Sequence, residues 1–192
     1  MLSPDAVKLV IDQLNALGWP YMITGSIASS AYGEPRATQD ADFVVQTQQQ
    51  DMQQIFERLR QEFDHEPQMS FETVTGTTQH KFRFRRTLFL IEIFEADFND
   101  PHERARFERR IEVELLDRRT WFPTAEDVII QKLRWFVRIR RAKDLEDTRQ
   151  VMFHQWPHLD WPYIERWCRE HDSDALLTEL RTEVQTMLDD EV

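Results

Sequence analysis

The spacing of apolar residues divides the chain into a first part that changes period repeatedly and a second part that keeps the helical one. Val7, Ile11, Leu14 and Leu17 recur at helical spacing, with Ser3 as the cap, Pro4 in the first turn and Gly18 at the end. Tyr21 to Thr24 reads as a short apolar strand. Gly25-Ser26 is a turn, Ile27 to Tyr32 spans about two turns of helix, and Gly33-Glu34-Pro35 breaks it. Asp42 to Val45 is the next strand. Gln48 to Phe63 reads as a polar helix with Met52, Ile55, Phe56 and Leu59 on one face. From Ser70 the period becomes two, giving the strands SFETV, KFRFRR and LFLIEIF, with Gly76-Thr77-Thr78 as the turn between the first two. Glu112 to Leu115 is a further short strand. Trp121-Phe122-Pro123-Thr124 opens the C-terminal part, which is helical to the end. Thr124 with Asp127 resembles a capping box. Its helix shows Val128, Ile129, Leu133, Phe136 and Val137 on one face, and helices over Asp144–Phe153, Asp160–His171 and Ser173–Leu188 follow. The pattern predicts an α+β protein: a mixed sheet flanked by helices over residues 1–120, then a helical bundle over residues 121–192.

Composition narrows the class. The 192 residues fit one domain, or one domain with a small appendage, and the 41% hydrophobic content is enough for a packed core. The formal charge of −11 repels nucleic acid at long range, so general DNA binding is not expected, although a local basic cleft is compatible with it. Cys168 is the single cysteine, which excludes an internal disulfide and suits a reduced, cytoplasmic setting. The first residues lack the basic stretch and continuous apolar run of a signal peptide, and no apolar run reaches membrane-spanning length. A soluble protein without a membrane partner is the expectation.

Candidate chemistry centres on GSIASSAYGEPRATQDADFVV, residues 25–45. Aspartate is a poor strand former, yet Asp40 and Asp42 stand at the entry to an apolar strand. Residues two apart in a strand face the same way, which puts these carboxylates on one side, roughly 7 Å apart. Their repulsion is relieved by a divalent cation, and magnesium, or manganese in its place, prefers oxygen ligands. Glu92, set inside LFLIEIF, is the natural third carboxylate. Glu95 and Asp97 compete for that role, though Glu95 faces the other way by strand alternation. Carboxylates holding metal beside phosphates suit phosphoryl and nucleotidyl transfer. Gly25-Ser26, opening a helix, offers backbone amides and a hydroxyl to phosphate oxygens.

The segment Thr24-Gly25-Ser26-Ile27-Ala28 followed by Tyr32-Gly33-Glu34-Pro35-Arg36-Ala37-Thr38-Gln39-Asp40-Ala41-Asp42 is similar to the signature of the DNA polymerase beta-like nucleotidyltransferase superfamily. It looks most like the stand-alone bacterial members, including the abortive-infection, type IV toxin nucleotidyltransferases. Downstream, Pro123 to Leu133 looks like that group's lysine-bearing helix, and Arg141-Ala142-Lys143-Asp144-Leu145-Glu146-Asp147 like its R-x-K-D-h-x-D segment. The resemblance spans Tyr21 to Phe153. It implies an enzyme that moves a nucleoside monophosphate from an NTP to an acceptor hydroxyl or phosphate and releases pyrophosphate. Asp40, Asp42 and Glu92 would form the magnesium site, with Glu92 as base or orienter of the acceptor. Gly25 and Ser26 would hold the triphosphate, with Arg36 and Thr38 at family spacing. Lys132 and Lys143 would lie near the nucleotide, and Asp144 would support the site. The family usually has Asp where Glu92 stands. The acceptor would be a protein side chain, a tRNA 3′ end or a small molecule such as an antibiotic, and a cognate partner protein is implied. The alternative is a non-catalytic NTP-binding or partner-binding protein on the same fold.

Each residue also has a plainer reading. Glu92 can pair with Arg83 or Arg85 across the hairpin. Arg36 can contact phosphate or pair with Glu34 or Asp42. Lys132 and Lys143 can be surface lysines. Arg134, Arg138, Arg140 and Arg141 read as an exposed helix face that can extend a positive cleft, and Lys81, Arg83 and Arg85, on one strand face, as a solvated edge or a phosphate- or RNA-binding strip. Pro157 between His154 and His158 argues against a helical metal pair.

Overall fold

A computed structural model describes residues 3–47, 52–66, 70–71 and 77–190. The start of the expected Gln48–Phe63 helix, the strand SFETV beyond Phe71 and Gly76 of the expected turn lie outside these residues. The chain packs as two units. One holds residues 1–27 and 37–123, the other residues 28–36 and 124–192.

The first unit begins with helix α1 (Pro4–Leu17), which buries Ala6, Val7, Val10, Ile11 and Leu14 and ends on Gly18 at φ 65°. Ser3 gives α1 no side-chain cap bond; its hydroxyl instead accepts from Thr87 Oγ1 at 3.3 Å. Strand β1 (Tyr21–Thr24) follows, and helix α2 (Gly25–Tyr32) starts immediately after it. Next come β2 (Asp40–Val45), α3 (Gln53–Leu59), β3 (Phe63–His65), β4 (Ser70–Phe71), β5 (Thr78–Phe84) and β6 (Leu90–Glu95). Helix α4 (Pro101–Glu108) and the hairpin β7 (Ile111–Leu115) and β8 (Arg118–Phe122) complete the unit.

The expected polar helix is shorter than its pattern, because Phe63 belongs to β3 and pairs with Phe84 of β5. Helix α4 has no apolar period; its sequence PHERARFE is mostly polar, and it forms because Asp100 caps it, accepting from His102 N at 2.8 Å, with Pro101 in the first turn. Trp121 and Phe122 lie in β8 rather than opening the helical part.

The main sheet runs β1-β2-β6-β5-β3, with β4 also pairing β5. Only the central β2/β6 pair is parallel; its register sets Asp40 opposite Leu90, Asp42 opposite Glu92 and Val44 opposite Phe94. One face carries Ile23, Phe43, Val45, Ile91, Ile93 and Phe82, all at most 1% exposed. Helix α3 lies on this face, with the Phe56 ring 5.4 Å from that of Phe82, and α1 packs beside α3. The opposite face changes chemistry along β2. At its far end Met22 and Val44 join Ala96 and Phe107 in a buried cluster flanked by Phe94, Phe98 and Trp121. At its near end the same face carries Asp40 and Asp42.

In the second unit, helix α5 (Ala125–Ile139) is followed by α6 (Ala142–Gln155), a 3₁₀ turn (Trp156–His158), α7 (Trp161–Glu170) and α8 (Asp174–Asp190). Thr124 caps α5 as its sequence suggests, its hydroxyl lying 3.4 Å from Asp127 N and 3.0 Å from Asp127 Oδ2. Tyr163 of α7 donates to Asp127 Oδ1 at 2.8 Å, and Arg149 of α6 pairs with Glu183 of α8 at 2.9 Å. Arg134 is 9% exposed, so the arginine run is not a uniformly solvated face. The 3₁₀ turn that begins at Trp156 contains Pro157 and His158, so His154, on α6, and His158 lie on different elements.

Residues 28–36 pack onto α6 through Gly33. A Cβ there would lie 3.0 Å from Gln150 Cβ and 3.1 Å from Val151 N, against backbone that cannot move aside cheaply. Gly33→Ala therefore overpacks this contact and lowers stability by about 1–3 kcal/mol, measured by urea unfolding.

Candidate functional site

The first cluster of interest stands on the acid-bearing face of the sheet. Gly25 opens α2 directly from β1 at φ 62°, a conformation that L side chains rarely adopt. A Cβ on Gly25 would sit 1.8 Å from Asp42 Oδ2 and 2.9 Å from Asp42 Cγ. The Asp42 carboxylate thus occupies the space a side chain would need, against the first residue of the helix. The positive end of the helix dipole favours an anion there. Ser26 is the second residue of α2 and is 6% exposed.

Asp40 is held from its own strand entry. The Thr38 hydroxyl lies 2.7 Å from Asp40 Oδ1 and 3.1 Å from its carbonyl oxygen. The β2/β6 register puts Glu92 opposite Asp42 on the same face. Of the three acids weighed as the third carboxylate, the other two are engaged elsewhere. Glu95 points to the opposite face, 2.8 Å from His80 Nε2 and 2.7 Å from the Thr47 hydroxyl. Asp97 accepts from Asn99 N at 3.0 Å in the turn after β6.

The alternative ion pair of Glu92 with Arg83 or Arg85 is not the one made; Lys81 pairs with Glu92 at 3.4 Å. The β5/β6 register is the reason: it sets Lys81 opposite Glu92 and Arg83 opposite Leu90. Arg83 pairs with Glu66 at 2.9 Å and Arg85 with Asp64 at 2.8 Å. The alternating pattern of its strand puts Lys81 on one face with Arg83 and Arg85 but does not say which of the three meets Glu92. Finding it needed the hairpin register.

Asp40, Asp42 and Glu92 lie on one face of two adjacent strands, and carboxylate oxygens are the donor chemistry that a hard divalent cation takes. As oriented, the side chains turn to Thr38, Gly25 and Lys81, and no three His, Cys, Asp or Glu residues converge as a metal cluster among the described residues.

The remaining sequence candidates gather in the second unit. Lys132 is 9% exposed and reaches Asp144 Oδ1 at 3.1 Å and Asp147 Oδ2 at 2.7 Å. Arg36 grips Asp147 with two parallel bonds, Nε to Oδ1 at 2.9 Å and Nη2 to Oδ2 at 3.0 Å. Arg141 adds a bond to Asp144 at 2.9 Å. Lys132 is buried and is not a surface lysine. Lys143, by contrast, is exposed on the first turn of α6. Asp147, the hub between Arg36 and Lys132, had no role assigned from sequence. Its signal was the three-residue spacing from Asp144, which puts both acids on one helix face. Burial alone would raise the Asp147 carboxyl, but the Arg36 hydrogen bonds and the Lys132 ammonium outweigh it and hold it below the usual range.

A sequence profile of the nucleotidyl transferase AbiEii toxin family, type IV toxin–antitoxin system, matches residues 24–183. The chain belongs to this family, and it is a nucleotidyltransferase. Comparison with curated proteins finds no significant sequence match. Among solved structures it is similar to an antigenic nucleotidyltransferase-like protein from Paracoccidioides brasiliensis, with TM-score 0.65 and 16% identity over 97% of this chain and 91% of that one. It is also similar to the antibiotic-resistance factor ANT(2'')-Ia, with TM-score 0.61 and 11% identity over 94% and 96%. A third is the lincosamide antibiotic adenylyltransferase LnuA, with TM-score 0.55 and 12% identity over 78% and 96%. At these identities the likeness is one of fold, and it agrees with the expected mixed sheet and helical C-terminal part.

Two outcomes follow from the geometry. Gly25→Ala meets both a left-handed backbone and the Asp42 carboxylate, and costs about 2 kcal/mol or more. Gly18→Ala has a similar φ of 65° but nothing within 4 Å of the added Cβ, so it carries the backbone strain alone, about 1 kcal/mol. The difference between their unfolding midpoints reads the Asp42 contact. For Asp147, a lowered folded pKa means its stabilisation is complete above the ordinary carboxylate range and is lost as pH falls through the folded value. Asp147→Asn costs about 3 kcal/mol at pH 7, and its urea curve converges on that of the unsubstituted protein as the solution is made strongly acid.

Proposed function

We propose that the acid face of the first unit is the catalytic centre of a divalent-metal-dependent NMP transfer from NTP to an acceptor hydroxyl or phosphate. The observation that carries this reading is the placement of Asp42. It stands opposite Glu92 in a parallel register and against the glycine that opens a helix, within a chain that matches a nucleotidyltransferase family over residues 24–183. In the reaction the bond between the α-phosphorus and its bridging oxygen breaks, pyrophosphate leaves, and the acceptor oxygen bonds to the α-phosphorus. Asp40, Asp42 and Glu92 would hold magnesium or manganese, which when bound neutralises the triphosphate and acidifies an attacking hydroxyl.

The chain's own residues divide the remaining work. Gly25 lets the triphosphate approach the backbone closely, the positive end of the α2 dipole faces its charge, and Ser26 offers a hydroxyl. Thr38 keeps Asp40 in one orientation through its 2.7 Å bond. Glu92 receives or orients the acceptor proton. For Arg36, Lys132, Lys143 and Asp144 a nucleotide-binding role rests on the family resemblance. In the second unit the first, second and fourth of these are joined in one ion-pair network. Family membership also supports a toxin role beside a cognate partner protein, and the acceptor would be a protein side chain, a tRNA 3′ end or a small molecule. No described helix is long and apolar enough to cross a membrane.

The test is pyrophosphate release from each of the four NTPs with magnesium or manganese, with cell extract supplying the acceptor. α-labelled NTP reports which molecule is modified. Asp42→Asn is expected to lower the rate by about 100-fold or more with an unchanged circular dichroism spectrum, and to remove growth inhibition on expression. Full activity in Asp42→Asn overturns the assignment.

A further inference from the structure

Glu92 does not stand alone on its sheet face. Its carboxylate lies 3.4 Å from the Lys81 ammonium, and the two side chains are 15% and 32% exposed. Lys81 sits directly opposite Glu92 on β5, while Asp42 sits directly opposite it on β2. Glu92 therefore has an acid on one side and an ammonium on the other, all on one sheet face. Among the described strand residues, the other charged groups along this face are Asp40 at the entry of β2 and Arg83 on β5, which is drawn away to Glu66 at 2.9 Å. Glu95 and His80 pair on the opposite face.

We propose that Lys81 is a resident counter-cation of the acidic centre. It holds Glu92 while no divalent ion is bound, and it must release Glu92 before that carboxylate can join Asp40 and Asp42 around a metal. The inference rests on the proposed metal site. Two facts support it. The carboxylates share a face and a register but are not gathered as a cluster among the described residues. And the one of them whose long side chain could swing furthest is the one paired with Lys81. An ammonium and a divalent ion compete for the same oxygen, so the lysine weakens resting metal affinity and leaves the site to fill when a triphosphate brings further oxygen ligands. Glutamate suits this exchange better than aspartate, because its extra methylene lets the carboxylate reach either cation.

The experiment measures manganese binding to the nucleotide-free protein by electron paramagnetic resonance and by calorimetry, with wild type, Lys81→Met, Lys81→Gln, Lys81→Arg and Asp42→Asn. Lys81→Met and Lys81→Gln are expected to bind manganese roughly five- to tenfold more tightly than wild type, with Lys81→Arg close to wild type. Their metal-free melting temperatures are expected to fall, because Asp42 and Glu92 lose a neutralising charge, and to recover with manganese. Affinity that is unchanged or weaker in both Lys81→Met and Lys81→Gln, with folded circular dichroism spectra, overturns the proposal and leaves a simple cross-strand pair. Manganese binding that Asp42→Asn does not reduce, or no binding in any variant, overturns the metal site itself and this inference with it.

Discussion

The contact between Gly25 and the Asp42 carboxylate constrains everything around it. A helix can begin directly at the end of β1 only if its first residue turns through a left-handed conformation, and it can do so against β2 only if that residue has no side chain. The antiparallel pairing of β1 with β2 sets Thr24 beside Asp42, so the residue after Thr24 arrives at the carboxylate. The parallel pairing of β2 with β6 brings Glu92 to the other side of the same aspartate. Two pairings and one missing Cβ thus fix three elements around a single carboxylate.

The two units handle their charges differently. In the helical unit, Asp144 and Asp147 are buried among Lys132, Arg36 and Arg141, with bidentate or repeated bonds. Buried carboxylates need such satisfaction, since an uncompensated charge there is costly. The network also binds residues 28–36, the segment that precedes Thr38 and Asp40 in the chain, to α6. On the sheet face the acids are partly buried, and the neutralisation seen at Glu92 comes from one lysine at a longer distance. Acids held by several short bonds suit a scaffold, whereas an acid held by one longer contact suits an exchange of partners.

Much of this was legible along the chain. The helical period after Thr124, the Thr124 cap, and the strands around Phe43 and Ile91 follow from local patterns that hold whatever they pack against. The G-S and D-x-D signals were legible because glycine and paired aspartates are costly where they stand unless something requires them. Helix α4 was hidden, since its polar sequence PHERARFE has no apolar stripe and its start depends on one cap. Strand β3 was hidden by a helical pattern that runs past the point where pairing with β5 takes over.

Sequence by itself therefore determined the class of the protein, the order of its main elements and the residues proposed to carry its chemistry. Tertiary structure decided which charges meet. Lys81 rather than Arg83 reaches Glu92, Arg36 reaches Asp147 across 111 positions of chain, and residues 28–36 pack with the helical unit. The physical reason is that periodicity and motif spacing report the local backbone and the face a residue occupies. Strand register and helix packing set which faces touch, and those are properties of the folded chain.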